Sequence, residues 1–159
     1  MKRVLMGVLV AAFVCLAGSV AAEDAKPPAK KAAKSAKPAW TVWAEPDIKF
    51  SDVENMKGAQ VAPLWGDMKK GSWGSLFKWV PGFLSPWHTH SHFVRVVVTQ
   101  GTFTIELEGQ PLKELGPGSY LRDPGKSKHR SGCKAGGPDC VFFVEQTGPW
   151  DVIVAEEKK

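Results

Sequence analysis

The sequence predicts an all-β fold, a sandwich or barrel of short strands, and three observations indicate it. Short segments rich in Val, Ile, Thr, Phe and Trp recur from residue 40 onward, and these residue types favour a pleated, half-buried surface. Turn signals such as Pro81-Gly82 and Gly116-Pro117-Gly118 separate the segments. No stretch in this part of the sequence combines a helical period with capping residues. Strands at this spacing, with Gly and Pro between them, are typical of sandwiches and barrels.

The predicted strands follow one another along a single domain. They cover residues 60–65, 75–80, 93–99, 102–107, 119–122, 141–146 and 151–155. The chain has 159 residues, of which 43% are apolar and seven are Trp. This composition can form one sizeable hydrophobic core but not two. We therefore expect one folded domain over residues 39–159.

The first 22 residues have the order of regions found in a secretory signal peptide. Lys2 and Arg3 precede the apolar run 4–17, and the small residues 18–22 precede Glu23. Such an order predicts cleavage before Glu23. The apolar run is shorter than the roughly 20 residues that a membrane-spanning helix needs. We expect a periplasmic or secreted protein with no stable membrane anchor.

Residues 23–38 differ in composition from the rest of the chain. They are mostly Ala, Lys and Pro and offer little to bury, so they predict a disordered linker. Lys2 and Arg3 contribute +2 to the net charge of +5, and the five linker lysines exceed Glu23 and Asp24 by +3. The domain itself is therefore neutral, and its composition gives no argument for nucleic-acid binding.

The cysteines are consistent with export. Cys15 belongs to the predicted signal peptide, and the preceding Val14 is not the small residue that lipoprotein processing prefers. Cys133 and Cys140 flank the loop 134–139, which is rich in Gly and Pro. An oxidising compartment and an even number of cysteines favour a disulfide at the base of a hairpin. Two free thiols, or two metal ligands, are the alternatives.

A cluster of histidines is the strongest functional signal. His88, His90 and His92 alternate just before the largely apolar run 93–98, and the fourth histidine, His129, lies in a turn-rich segment. Alternate residues of an extended strand point to the same face, so the first three imidazoles can converge. Converging imidazoles are typical ligands of zinc, iron, copper and nickel. The alternative is an exposed histidine cluster that binds nothing.

The first part of this cluster resembles the first signature motif of the cupin superfamily. That motif is a glycine, a short spacer, H-x-H, three or four residues, a glutamate and a later glycine. Gly82, His88, His90 and Gly101 stand at these positions. The glutamate does not, because its position falls on Val94, or on Arg95 with a spacer one residue longer.

The second part resembles the second cupin motif, in which a glycine and a proline precede a histidine. Gly118, Pro124 and His129 match it, although Gly125 follows the proline directly where the family usually leaves one residue between. The resemblance extends over residues 40–155, and the sequence around the histidines looks like a group of bacterial cupins of unknown function.

The resemblance implies a single-domain cupin jelly-roll barrel with a metal site inside its mouth. The residues carried over as metal ligands are His88, His90 and His129. Without the glutamate, the implied site holds a divalent transition metal (Fe, Mn, Zn, Ni or Cu) by three histidines, as in the cupin thiol dioxygenases and diketone-cleaving dioxygenases. Alternatively, His92 is a fourth ligand, or the barrel has lost its metal.

Three functions are compatible with the sequence. The first is a metal-dependent enzyme acting on a small organic molecule, the second a non-catalytic module that binds a metal or small ligand, and the third a structural domain of the cell envelope. No catalytic side chain outside the histidines is identified. Trp79, Trp87 and Tyr120 are candidates for the wall of a pocket. The expected partner is a small molecule, and a homodimer is compatible with the sequence.

Overall fold

A computed structural model describes residues 40–156, which belong to one compact unit that begins at Trp40. The predicted signal peptide (1–22) and the predicted linker (23–38) lie outside the described residues. One 3₁₀ turn, Glu45–Asp47, precedes the strands. The strands are β1 Ser51–Asp52, β2 Ala59–Gly66, β3 Trp73–Trp79, β4 His88–Thr89, β5 Val94–Gln100, β6 Phe103–Leu107, β7 Lys113–Leu115, β8 Tyr120–Asp123, β9 His129–Cys133, β10 Cys140–Gln146 and β11 Ile153–Val154. Within residues 40–156 there is no helix with the length and apolar character needed to cross a membrane.

The strands form two antiparallel sheets, which confirms the all-β jelly-roll class. The larger sheet has the order β1-β2-β3-β10-β5-β8, and the smaller one has the order β11-β4-β9-β6-β7. The four strands at the sheet edges (β1, β8, β11 and β7) are two to four residues long. The edge strands of one sheet do not pair with those of the other, so no continuous ladder closes the described part of the chain into one barrel, and the two sheets face each other.

The core lies between the sheets and is formed by alternating residues. In β3 the side chains of Trp73, Phe77 and Trp79 are buried, and their neighbours in sequence are on average more exposed. Phe142 of β10 and Phe103 of β6 meet the Trp79 ring at centroid distances of 4.7 and 5.6 Å. Burying each large apolar side chain contributes about 1.5–3 kcal/mol. This aromatic cluster therefore holds β3 and β10 of one sheet against β6 of the other.

The seven predicted strands correspond to β2, β3, β5, β6, β8, β10 and β11, with ends that differ by a few residues. Four further strands were not predicted. Among them β9, whose sequence is His-Arg-Ser-Gly-Cys, lacks the β-branched and aromatic residues that indicate a strand. It is extended because it pairs with β6 over five residues. Pairing with a neighbouring strand overrides weak local preference here.

The predicted disulfide is present. Cys133 ends β9 and Cys140 begins β10, and the two residues are bonded with their Cα atoms 5.7 Å apart. The expectation that the bond closes a hairpin is wrong, because β9 and β10 belong to different sheets. The loop between them crosses from one sheet to the other, so the disulfide links the two sheets covalently.

Candidate metal centre

Three of the four histidines come together. His88 of β4 lies directly opposite His129 of β9 in the smaller sheet, and His90 follows β4 by one residue. Their ring centroids are 4.4 to 5.3 Å apart. One potential ligand atom from each of the three lies within 4.8 Å of the others. Two sequence motifs that are distant along the chain therefore contribute to one cluster, as the cupin resemblance implied.

Backbone carbonyl groups orient all three imidazoles. The Nδ1 atoms of His88, His90 and His129 lie 2.7–2.8 Å from carbonyl oxygens. The acceptors, in the same order, are Pro86, Asp151 and Ser127. A carbonyl oxygen can only accept a hydrogen bond, so each Nδ1 carries the proton and each Nε2 keeps its lone pair. Holding the second ring nitrogen in this way is how proteins orient histidine ligands of metals.

Burial keeps two of the imidazoles, those of His88 and His90, in the form that binds metal. Desolvation lowers the pKa of His88 from its usual 6.5 to about 4; the Pro86 carbonyl opposes this shift, while the neighbouring His129 and His90 add to it. Burial also lowers the pKa of His90. Imidazoles with lowered pKa values are neutral at pH 7, and only a neutral imidazole can coordinate a metal ion.

The cluster lies on the wall of a large cavity. The cavity has a volume of about 810 Å³, within the range of small-molecule sites, roughly 300–1,000 Å³. Its aromatic lining consists of Trp73, Phe77, Trp79, Phe103, Tyr120, Phe142 and Trp150. Trp79 thus forms part of the wall, whereas Trp87 lies outside it with its ring against the side chains of Arg130 and Lys128. The cavity leaves room for a mainly apolar molecule next to the histidines.

The usual glutamate position of the cupin motif also faces this cavity. Val94 is buried and lines it. Arg95 points to the opposite face and pairs with Glu145 of β10 at 3.2 Å. The alternation of the strand therefore assigns Val94 to the glutamate position. An isopropyl group cannot bind a metal, so the protein ligands that the cluster offers are three neutral nitrogen atoms.

The structure does not bring His92 into the cluster. An extended chain from His88 to His92 would place all three rings on one face, but β4 ends at Thr89 and the chain bends at Ser91. The Ser91 amide donates to the carboxylate of Asp151, so this backbone is bonded to a loop and not to a ladder. The ring of His92 packs on Gly148, where an added Cβ would lie 2.5 Å from ring atoms.

Two carboxylates next to the cluster were missed from the sequence. An oxygen of Asp151 lies 3.8 Å from Nδ1 of His90, and an oxygen of Asp123 lies 3.8 Å from Nδ1 of His129. The cupin motifs do not mark either residue as a ligand. The only local signal is the Asp-Pro-Gly turn at Asp123, which precedes His129 in the second motif.

The donor set fits a transition metal. Three imidazoles with free Nε2 lone pairs suit zinc, iron, copper or nickel, and their approach to within 4.8 Å allows one ion to contact all three. Trp73 and Trp79 have buried indole N–H groups without a hydrogen-bond partner in the described chain, but indole nitrogens are donors and do not bind metals. The candidate ligands on this wall are therefore His88, His90 and His129.

A two-sheet jelly roll with histidines from two separate motifs at its cavity defines a cupin. The chain belongs to the family described as the ChrR cupin-like domain, whose model matches residues 40–150. A sequence comparison with curated proteins finds no match.

Solved structures with the same fold come from several bacteria. The polyketide cyclase RemF from Streptomyces resistomycificus is 20% identical with a TM-score of 0.64, over 76% of this chain and 89% of that one. KdgF from Halomonas sp. is 23% identical with a TM-score of 0.54, over 65% and 92%. The DMSP lyase DddQ from Ruegeria pomeroyi is 16% identical with a TM-score of 0.57, over 70% and 64%. At these identities the likeness shows the fold.

Proposed function

We propose that this protein is a metal-dependent cupin that acts on a small organic molecule. In this proposal, His88, His90 and His129 hold one divalent transition metal, and the molecule binds in the adjoining cavity. The observation that carries the proposal is the orientation of the three imidazoles. In each of them the Nδ1–H group donates a hydrogen bond to a backbone carbonyl. Three independent hydrogen bonds that all free Nε2 for a ligand are the arrangement that a metal site needs.

The position of the cluster favours a reactive metal site over a purely structural one. Structural sites are closed by four protein ligands, whereas reactive ones keep an open position. Here three nitrogen ligands adjoin a cavity of about 810 Å³, and Val94 contributes no fourth ligand. When bound, the metal supplies a Lewis acid or a redox centre at its open positions. The histidines orient it, and the aromatic wall holds the organic molecule and keeps water away.

The cavity also indicates the chemical class of the ligand. Its lining combines six Trp and Phe rings, named above, with five charged side chains, those of Glu54, Lys113, Arg122, Asp123 and Asp151. Such a wall favours a molecule with a large apolar, flat portion. Two structural neighbours, a polyketide cyclase and a DMSP lyase, are named as enzymes of small molecules. This supports a small-molecule ligand here without identifying it.

We further propose that the protein works in the periplasm or outside the cell. The disulfide between Cys133 and Cys140 supports this location, because such bonds persist in oxidising compartments. The signal peptide predicted at residues 1–22 gives independent support from the sequence.

The test is metal analysis of protein purified without a His-tag. We expect about one transition-metal ion per chain in the parent and in His92→Ala, and none in His88→Ala. Absence of metal after reconstitution with Fe²⁺, Mn²⁺, Zn²⁺, Ni²⁺ or Cu²⁺ would contradict the proposal. The loaded protein is then assayed against a panel of aromatic and other apolar substrates. Bound metal without turnover on the panel would favour the alternative, a non-catalytic binding module.

A further inference from the structure

The carboxylate that a cupin motif normally places in strand β5 has a counterpart in strand β8. Val94, at the usual glutamate position, pairs directly with Asp123 in the antiparallel ladder between these strands. Residues opposite each other in such a ladder point to the same face, with Cβ atoms roughly 4.5–5.5 Å apart. Both side chains line the cavity that contains the histidines. The sheet therefore places an acidic residue one strand away from the missing glutamate.

The carboxylate of Asp123 is buried, and only one of its two oxygens has a hydrogen-bond partner among the described residues. Its side chain is only 10% exposed. Oδ1 accepts a hydrogen bond from the Gly125 amide at 2.8 Å, while Oδ2 is buried without a hydrogen-bond partner in the described part of the chain. Buried polar atoms are nearly always paired, and an unpaired charged oxygen is costly to bury. Such an atom needs a nearby positive charge.

Among the described residues, the basic group within 4 Å of that oxygen is a histidine of the cluster. Oδ2 lies 3.8 Å from Nδ1 of His129, which already donates to the Ser127 carbonyl at 2.8 Å. The separation is too long for a hydrogen bond, and Asp123 is not one of the residues whose ligand atoms lie within 4.8 Å of one another. Asp123 is thus next to the candidate ligands without being one of them.

We propose that Asp123 is the anion of the metal centre and acts on the ion through His129 without binding it. Three neutral imidazoles leave the full charge of a divalent ion uncompensated, whereas a glutamate ligand would neutralise part of it. Asp123 supplies that negative charge from the neighbouring strand, and a carboxylate oxygen 3.8 Å from Nδ1 favours the positive charge that the His129 ring takes on when Nε2 binds the ion. The ion in turn supplies the positive charge that Oδ2 lacks. This inference rests on the proposed metal site.

The experiment measures metal affinity by competition with a chromophoric chelator, using Zn²⁺ and Co²⁺. Asp123→Asn keeps the size of the side chain and its acceptor for Gly125 but removes the charge. We expect this variant to bind both metals about 10–100-fold more weakly than the parent. The visible spectrum of bound Co²⁺ should stay as in the parent, because the three ligands are unchanged. The matched control Asp67→Asn, at the surface, should leave affinity and spectrum unchanged.

A second experiment tests whether positions 94 and 123 are equivalent, by moving the carboxylate from strand β8 to the opposite residue in β5. The double variant Val94→Glu with Asp123→Asn should recover most of the lost affinity and change the Co²⁺ spectrum, since a carboxylate then reaches the ion. The neutral control Val94→Gln with Asp123→Asn should recover none. Unchanged affinity in Asp123→Asn would overturn the inference. A changed Co²⁺ spectrum in that single variant would also overturn it, because Asp123 would then be a ligand.

Melting temperatures separate this role from a structural one. Without metal, Asp123→Asn should be at least as stable as the parent, because it no longer buries an unpaired charge. With metal, it should gain less stability than the parent. Equal loss of stability with and without metal would assign Asp123 to the fold alone. His88→Ala serves as reference: if the parent and His88→Ala bind metal equally, the proposed site itself fails, whereas a failure confined to Asp123→Asn overturns only this inference.

Discussion

His88 and His129 face each other across the ladder between β4 and β9, with ring centroids 4.4 Å apart. One residue comes from the first cupin motif and the other from the second, so their contact exists only in the folded chain. A metal held by both histidines stabilises the native state and has no comparable site in the unfolded chain. Metal binding and folding stability are therefore coupled in this protein.

Replacing a cluster histidine should abolish stabilisation by metal. When the free metal concentration is 100 times the dissociation constant of the site, the free energy of unfolding rises by about 2.7 kcal/mol. We expect this gain in the parent and none in His88→Ala, His90→Ala or His129→Ala. His92→Ala should keep the gain, because its ring packs on Gly148. Thermal unfolding with and without metal measures the effect, and a gain lost in His92→Ala would show that this residue is a ligand after all.

The metal-free protein should lose stability as the pH falls below neutrality. The pKa of His88 is about 4 in the folded state, against 6.5 for the ordinary side chain. Between these pH values the side chain of His88 is protonated in the unfolded chain but not in the folded one. The free energy of unfolding therefore has its full value above pH 6.5 and decreases as the pH falls toward 4. The loss attributable to His88 is about 3 kcal/mol.

Chemical denaturation at a series of pH values, with a chelator present, measures this dependence. Protonation of carboxylates also contributes, so the quantity of interest is the difference between the parent and His88→Gln. We expect that difference to shrink as the pH falls from 6.5 to 4. A difference independent of pH over this interval would mean that His88 titrates normally in the folded protein.

Removing the disulfide should destabilise the domain without changing the metal site. Cys133 and Cys140 are seven residues apart in sequence, and closing a loop of this length contributes roughly 2–3 kcal/mol in the chain-entropy model. The double variant Cys133→Ser with Cys140→Ser should show this loss in chemical denaturation. Its metal affinity should match that of the parent, since neither cysteine belongs to the histidine cluster. A weaker metal affinity would indicate that the link between the sheets also positions His129.

Exported protein should begin near Glu23, carry no lipid and contain one disulfide. Intact-mass analysis before and after reduction and alkylation measures all three properties. Two alkylatable thiols without reduction would contradict the oxidised state.

In the same protein, deletion of residues 23–38 should leave the melting temperature unchanged, because a segment of Ala, Lys and Pro has little to bury.

Much of the site was predictable because it depends on residue types in sequence order. The cupin motifs identified His88, His90 and His129 and showed that the usual glutamate is missing. Whether its position falls on Val94 or on Arg95 was left open by the sequence, and the strand in the structure assigned it to Val94. The role of His92 was not predictable from alternation. Alternation assumes an extended chain, and the bend at Ser91 arises from a hydrogen bond to Asp151, which is remote in sequence.

By itself, the sequence determined the all-β class, the pairing of the two cysteines and the three histidines of the cluster. These features depend on local patterns: strand-forming residues, turns, even cysteine number and motif spacing. Only the tertiary structure decided that the disulfide joins two sheets and that Asp123 lies opposite Val94. Both are consequences of sheet order and strand register. Those are set by how the aromatic side chains of β3, β6 and β10 pack across the core, an interaction between segments that no single stretch of sequence contains.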